Sequence, residues 1–241
     1  MCTLSWLPCR HGYWLLFNRD ERRTRAPGRP PTVGRVDGIK VLAPADGDFG
    51  GTWVGGNQFG VSAALLNRYD DTPVDPVAGT VSRGILLQSL LGGRSATALV
   101  GALRTSALAP FKPFTVAATD RAGTMHLGDW DGARLAVTTT DQPGLVRTSS
   151  GADQATAERV RSALFAEAAT GGPLDVDLLR RLHRGHAPAR GPFSICMHRD
   201  EAATQSLTEV RVSARRITLR HWHGPPCQAP LCSVRQLATT R

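Results

Sequence analysis

The residues best suited to chemistry fall within the first 21 positions: Cys2 and the tetrapeptide Asn18-Arg19-Asp20-Glu21. A thiolate is a nucleophile, but a free cysteine, with a pKa of about 8.5, needs a neighbouring cation or base to ionise at neutral pH. Arg19 offers the cation. The small side chain at position 2 permits removal of Met1, and the α-amine then exposed, with a pKa of roughly 7.7 to 8.0, offers Cys2 a base of its own. The competing reading is a half-buried strand cysteine beside a surface charge cluster, since free cysteines are commonly buried and inert.

Chemistry at Cys2 requires that the two stretches meet, and the elements around them predict that they do. Residues 3–7 read as a strand, 9–12 as a turn and 13–18 as a second apolar strand, which together make a β-hairpin. A turn centred on His11 pairs positions whose numbers sum to about 22, which sets Cys2 against residues 19–21.

Residues 22–34 are rich in Arg, Pro and Gly and predict an exposed loop. A short strand follows over 36–42, then turn chemistry over 43–51 marked by Asp46-Gly47. Residues 52–54 and 61–66 read as a strand pair around Gly55-Gly56-Asn57. Asn67, at the end of that pair, either points an amide into a pocket or caps the turn leading to Asp70-Asp71. Helices are predicted over 82–91 and 95–105, and strands over 114–119, 124–127 and 134–139 with hairpin turns between them. Two more helices, 152–169 and 174–183, precede strands at 193–198, 207–212 and 217–222. This alternation describes a layered α+β protein with mostly antiparallel sheets, and 241 residues suit a single domain over 1–241 with a sizeable core.

The net charge of +9 comes almost wholly from arginine, since Lys40 and Lys112 are the only lysines. No helix-turn-helix, zinc-finger or aromatic RNA-binding signature accompanies that charge, so no nucleic-acid partner is expected. Arginine suits the carboxylates and phosphates of small ligands, and biased genome composition is the blander explanation. No apolar run is long enough for a transmembrane helix, and no basic segment precedes the first apolar residues as a signal peptide requires. The five cysteines, an odd number without a framework spacing, favour a reducing cytoplasm.

His221, His223, Cys227 and Cys232 fall close together and are zinc-ligand types, but Cys-x4-Cys behind His-x-His is not a standard spacing. Pro225-Pro226 between them fits a loop, so no metal is expected. His183 and His186 flank a helix end and read as structural. Phosphate-binding glycine loops are absent.

Cys2 with Asn18-Arg19-Asp20-Glu21 is followed by Gly50-Gly51-Thr52-Trp53-Val54-Gly55, by residues 60–67 and by Ser82-Arg83-Gly84. In that order these blocks resemble the NRDE family, which includes the transport and Golgi organization proteins; they span roughly the first third of the chain. The resemblance implies the four-layer αββα sandwich of the N-terminal-nucleophile (Ntn) hydrolases, related to cysteine-dependent bile-salt hydrolases and penicillin V acylases. Two departures stand out. Members carry Gly-Thr-Arg where this chain has Ala203-Thr204-Gln205-Ser206, and an Asn near the place where it has Thr148-Ser149-Ser150. In the hydrolase relatives a pocket asparagine helps hold the oxyanion. The acylases also space their arginine and aspartate differently from Arg19 and Asp20, which as strand neighbours point to opposite faces.

Two functions are therefore expected. The family's link to haem trafficking and acyl-CoA or lipid handling implies a carrier of an amphipathic anion, and this is the preferred expectation. Its ligand-binding residues are Asn18, Arg19, Asp20, Glu21, Trp53 and Arg83, with Phe17 and Leu65 on the apolar wall. Haem is one ligand considered; the chain has no Cys-Pro dipeptide, so its iron would take a histidine or another cysteine. The alternative is an amidohydrolase or acyltransferase with Cys2 as nucleophile and Arg19, Asp20 and Asn67 completing the catalytic set.

Overall fold

The computed structural model describes residues 2–69, 81–228 and 231–240; the expected turn at Asp70-Asp71 lies outside them. The first hairpin is buried on both faces over most of its length. β1 (Cys2–Cys9) and β2 (Gly12–Arg22) pair antiparallel, with Cys2 opposite Arg19 and Cys9 opposite Gly12. The turn is therefore Arg10-His11, one half-step earlier than a His11 centre. Gly12 adopts φ +150°, and a Cβ there would lie 2.1 Å from the Val212 carbonyl oxygen, so the hairpin needs glycine at that point.

The hairpin forms the centre of a six-stranded sheet. Its other strands are β10 (Gly144–Ser149), β11 (Ala202–Val212), β12 (Arg216–His223) and β13 (Cys232–Ala238), in the order β10-β1-β2-β11-β12-β13. A second sheet of seven strands runs in chain order through β3 (Arg29–Val36), β4 (Ile39–Ala45), β5 (Val54–Asn57), β6 (Ser62–Asn67), β7 (Phe114–Thr119), β8 (Met125–Trp130) and β9 (Leu135–Thr140). Every strand pairing is antiparallel.

The two-residue period of a strand decides which layer each side chain joins. On β2, Tyr13, Leu15 and Phe17 enter the core between the sheets, packed with Leu42, Val54, Leu66 and Leu127 of the second sheet. Leu16 points the other way and joins Phe165 of α3 (Gln154–Thr170) and Leu179 of α4 (Val176–Arg184). On the far side, α1 (Arg83–Leu90) and α2 (Ala96–Thr105) bury Leu87, Leu90, Leu99 and Leu103 against Ala63, Val116 and Ala118. The layers are thus helix, sheet, sheet, helix. This is the αββα sandwich, and no helix among the described residues is long and apolar enough to cross a membrane.

Several local expectations are corrected. The stretch 29–36 is an edge strand rather than loop, and the strand expected over 36–42 is broken by Asp37-Gly38, both at positive φ, where the chain turns from β3 into β4. Gly55-Gly56-Asn57 belongs to β5 and not to the turn beyond it. No strand forms over 193–198; its one bridge is His198 to Ala203.

Candidate functional site

At one end of the sandwich a cleft of about 340 Å³ opens between the sheets. Its lining brings together Cys2 from β1, Arg19 to Glu21 from β2, Asp46 to Trp53 from the β4–β5 connection, Asn67 from β6, and Arg83 with Gly84 at the start of α1. These segments come from widely separated parts of the chain. Strand pairing explains the meeting of the first two, and a glycine contact explains the rest. The Thr52 N–H donates to the Gly84 carbonyl at 3.0 Å, and a Cβ on Gly51 would lie 2.4 Å from the Gly84 carbonyl carbon. Only a glycine at 51 lets α1 approach this closely, which delivers Arg83 to the cleft.

Cys2 is 7% exposed and stands in a row that runs across the sheet: Ser149, Cys2, Arg19, Ser206. Burial pushes its thiol up. The amino terminus, the Asp20 N–H and Arg19 pull it down, while the Asp20 carboxylate adds to the rise, and burial prevails. At neutral pH Cys2 is accordingly a thiol. The two sequence departures flank this pair, because Ser149 and Ser206 are the cross-strand neighbours of Cys2 and Arg19. Both hydroxyls are buried without a hydrogen-bond partner among the described residues.

Arg19 donates to Asp46 Oδ2 at 2.6 Å and lies 4.7 Å from the Trp53 ring centroid. Arg25 grips both oxygens of the same carboxylate at 2.7 Å. Burial opposes ionisation of Asp46, but the N–H groups of Phe49 and Asp48 and the two guanidiniums outweigh it and hold the carboxyl below its usual range. Glu21 accepts a longer contact from Arg19 at 3.4 Å. The sequence marks Asp46 only as a turn residue. It is that too, since its Oδ1 accepts from Asp48 and Phe49, and a turn role and a site role leave the same Asp-Gly mark.

Asp20 turns its carboxylate to the helix side of β2, where Thr204 Oγ1 donates to it at 2.6 Å and Arg161 Nη2 lies 3.7 Å away. Burial raises its pKa against the attraction of Arg161. Arg161, wholly buried, donates also to Thr3, Thr148, Phe193 and Ser194. Its place on a helix among alanines gave no sequence sign of this. Asn18 faces the same side and lies outside the cleft: its amide donates to the carbonyls of His183 and Ile195, and its oxygen meets His183 Nδ1 at 2.9 Å. Phe17 stays in the inter-sheet core, while Leu65 and Trp53 reach the cleft wall.

Asn67 lines the cleft with its amide donating to Tyr69 Oη at 3.3 Å. Arg83 donates to the Pro113 carbonyl at 2.8 Å. Burial lowers its pKa while Tyr69, Cys2 and Glu21 oppose that, and a guanidinium remains a cation. Neither Arg83 nor Lys112 makes an ion pair among the described residues. The zinc-type residues of the C-terminal region do not assemble as spaced: His221 meets Thr208 and His223 meets Ser233, and Cys227 goes elsewhere.

The helix-sheet-sheet-helix layering is that of the Ntn-hydrolase fold. Penicillin V acylase from Agrobacterium tumefaciens superposes with a TM-score of 0.61 at 11% identity, covering 100% of this chain and 87% of that one. A variant of conjugated bile acid hydrolase from Clostridium perfringens gives 0.59 at 12% identity, over 100% and 97%. The Caenorhabditis elegans ortholog of N-acylethanolamine-hydrolyzing acid amidase gives 0.59 at 12%, over 87% and 92%. At such identities the likeness is one of fold. No curated protein sequence matches the chain. The Transport and Golgi organisation 2 family matches residues 1–155, and the chain belongs to that family.

Proposed function

We propose that the cleft at Cys2 binds an amphipathic anion. The observation that carries this reading is the pair of cations, Arg83 and Lys112, that line the cleft beside Trp53, Phe49 and Leu65 and form no ion pair among the described residues. Desolvated arginine is well suited to a carboxylate or phosphate, and the apolar wall accepts the adjoining chain. Arg19 is already committed to Asp46, so it shapes the wall through Trp53. Between the two ligand classes the family suggests, acyl-CoA or lipid fits better than haem. Cys2 is the one soft iron ligand among the described lining residues, and burial holds it as a thiol. A carrier of this kind would work in the cytoplasm without a membrane span.

The test is an equilibrium titration with a long-chain acyl-CoA, read by tryptophan fluorescence. Arg83→Gln and Lys112→Gln should each weaken binding by about tenfold, the scale of one lost charge-assisted hydrogen bond. Unchanged affinity in both variants would sink the proposal.

A second reading, amide hydrolysis or acyl transfer by Cys2, draws support from Cys2, Arg19 and Asn67 lining one cleft, the Asp20 carboxylate being turned to the helix side of β2. Removal of Met1 would place a free amine on Cys2 to act as base, with Arg19 on the thiolate and Asn67 on the oxyanion. An intact mass of the untagged protein that still includes Met1 would end this reading.

A further inference from the structure

We propose that His186, Cys196, His198 and Cys227 form a Cys2His2 site for a structural zinc ion, outside the lining of the cleft. One ligand atom from each lies within 4.8 Å of the other three. Tetrahedral zinc, with bonds of about 2.3 Å to sulfur and about 2.0 to 2.1 Å to nitrogen, sets its ligand atoms about 3.3 Å apart for two nitrogens and about 3.5 Å apart for nitrogen and sulfur. The protein holds His186 Nε2 and His198 Nε2 at 3.2 Å, Cys196 Sγ and His198 Nε2 at 3.6 Å, and Cys227 Sγ and His198 Nε2 at 3.4 Å.

Hydrogen bonding does not account for this cluster. His198 Nε2 has three close neighbours, and an imidazole nitrogen carries either one hydrogen or one lone pair, so it satisfies one of them. A cation at the centre satisfies all four groups at once. Two thiolates would neutralise a divalent ion, so that Arg190, 3.4 Å from His198 Nδ1, faces a site of no net charge. With four protein ligands the ion has no open position, which marks a structural rather than a catalytic centre.

The location gives such an ion work to do. His186 follows the end of α4, Cys196 and His198 belong to the irregular stretch where a strand was expected, and Cys227 sits in a 3-10 turn over Pro226–Gln228. These three segments lack sheet ladders between them, and the metal would cross-link them. The stretch is also gripped from the other side, since Asn18 and Arg161 bind the carbonyls of Ile195 and Ser194. Sequence spacing hid the set, because Cys196 lies 10 positions after His186 and Cys227 lies 29 positions after His198.

The experiment is metal analysis by mass spectrometry of the untagged chain purified with reductant and without chelator. About one zinc per chain is expected, and Cys196→Ser, Cys227→Ser and His198→Gln should each lower the content at least tenfold. Cys232→Ser, next in the sequence but outside the set, should leave it unchanged. Because a variant can fail through misfolding, the chelator-stripped wild type is also titrated with cobalt(II). A thiolate-to-cobalt charge-transfer band with tetrahedral d–d bands, saturating at one equivalent, supports the site. Wild type that carries no zinc and develops no such spectrum overturns it, as does full zinc content in the Cys227→Ser protein.

Discussion

Arg19 and Asp20 adjoin in the chain yet serve opposite faces of β2. Arg19 reaches into the cleft and binds Asp46 at 2.6 Å, while the Asp20 carboxylate lies beneath the helices with Thr204 and Arg161. The strand period forces this division. The consequence is a two-sided support for the Cys2 end of β1: one ion pair holds the cleft wall, and the other ties β2 to α3.

The rear support should matter more for stability. Arg161 is wholly buried and bonded to four protein oxygens besides the Asp20 contact. Arg161→Ala leaves those groups and Asp20 without their cation, and a loss of about 3–5 kcal/mol is expected in denaturant unfolding. Asp20→Asn should cost clearly less, since burial already disfavours the charged form and Thr204 can still donate. Equal losses would contradict this ranking.

Acid should weaken the fold through two buried histidines. His183, between Ser5 and Asn18, and His221, on Thr208, are pushed by burial down to about 3. The unfolded chain, with histidines near about 6.5, binds more protons below that pH. The contribution is thus complete above about pH 6.5 and is lost as pH falls towards 3, by up to about 1.4 kcal/mol per pH unit for each histidine. Replacing both by glutamine should lower stability at neutral pH and flatten that slope. An unchanged slope between pH values of about 6.5 and about 5 would refute the assignment.

The glycine contact behind the cleft makes a sharper case. Gly51→Ala must push α1 away from Thr52, and a loss of about 1–3 kcal/mol is expected, together with weaker ligand binding as Arg83 moves. Gly101→Ala, on α2 with nothing near the added methyl, should instead stabilise by about 0.5–1 kcal/mol. Thermal unfolding of the two variants beside wild type decides the matter.

The sequence was legible where apolar runs are bounded by marked turns and caps. The first hairpin, the pairing of Cys2 with the residues around Arg19, and the four helices of the described residues follow from such patterns. β13 was hidden because its exposed, polar residues form a sheet edge with little apolar signal, and β10 because Gly144 and Arg147 interrupt its period. Residues 193–198 carry an apolar strand pattern, yet the carbonyls of Phe193, Ser194 and Ile195 are taken by Arg161 and Asn18 rather than by a neighbouring strand. Asp46, Arg161 and the two serines beside the Cys2–Arg19 pair required the tertiary fold, since nothing local distinguishes a site residue from a turn, helix or strand residue of the same type.

The most direct test of the ligand cleft is the alkylation of Cys2 by a small maleimide, followed by peptide mass spectrometry with and without saturating long-chain acyl-CoA. Cys2 lines the cleft, whereas Cys9, at the far end of the same strand, is exposed and outside it. The account predicts that ligand slows modification of Cys2 by about tenfold or more, tracking site occupancy, and leaves Cys9 unaffected. Equal rates at Cys2 with and without bound ligand would place the ligand elsewhere and contradict the central claim.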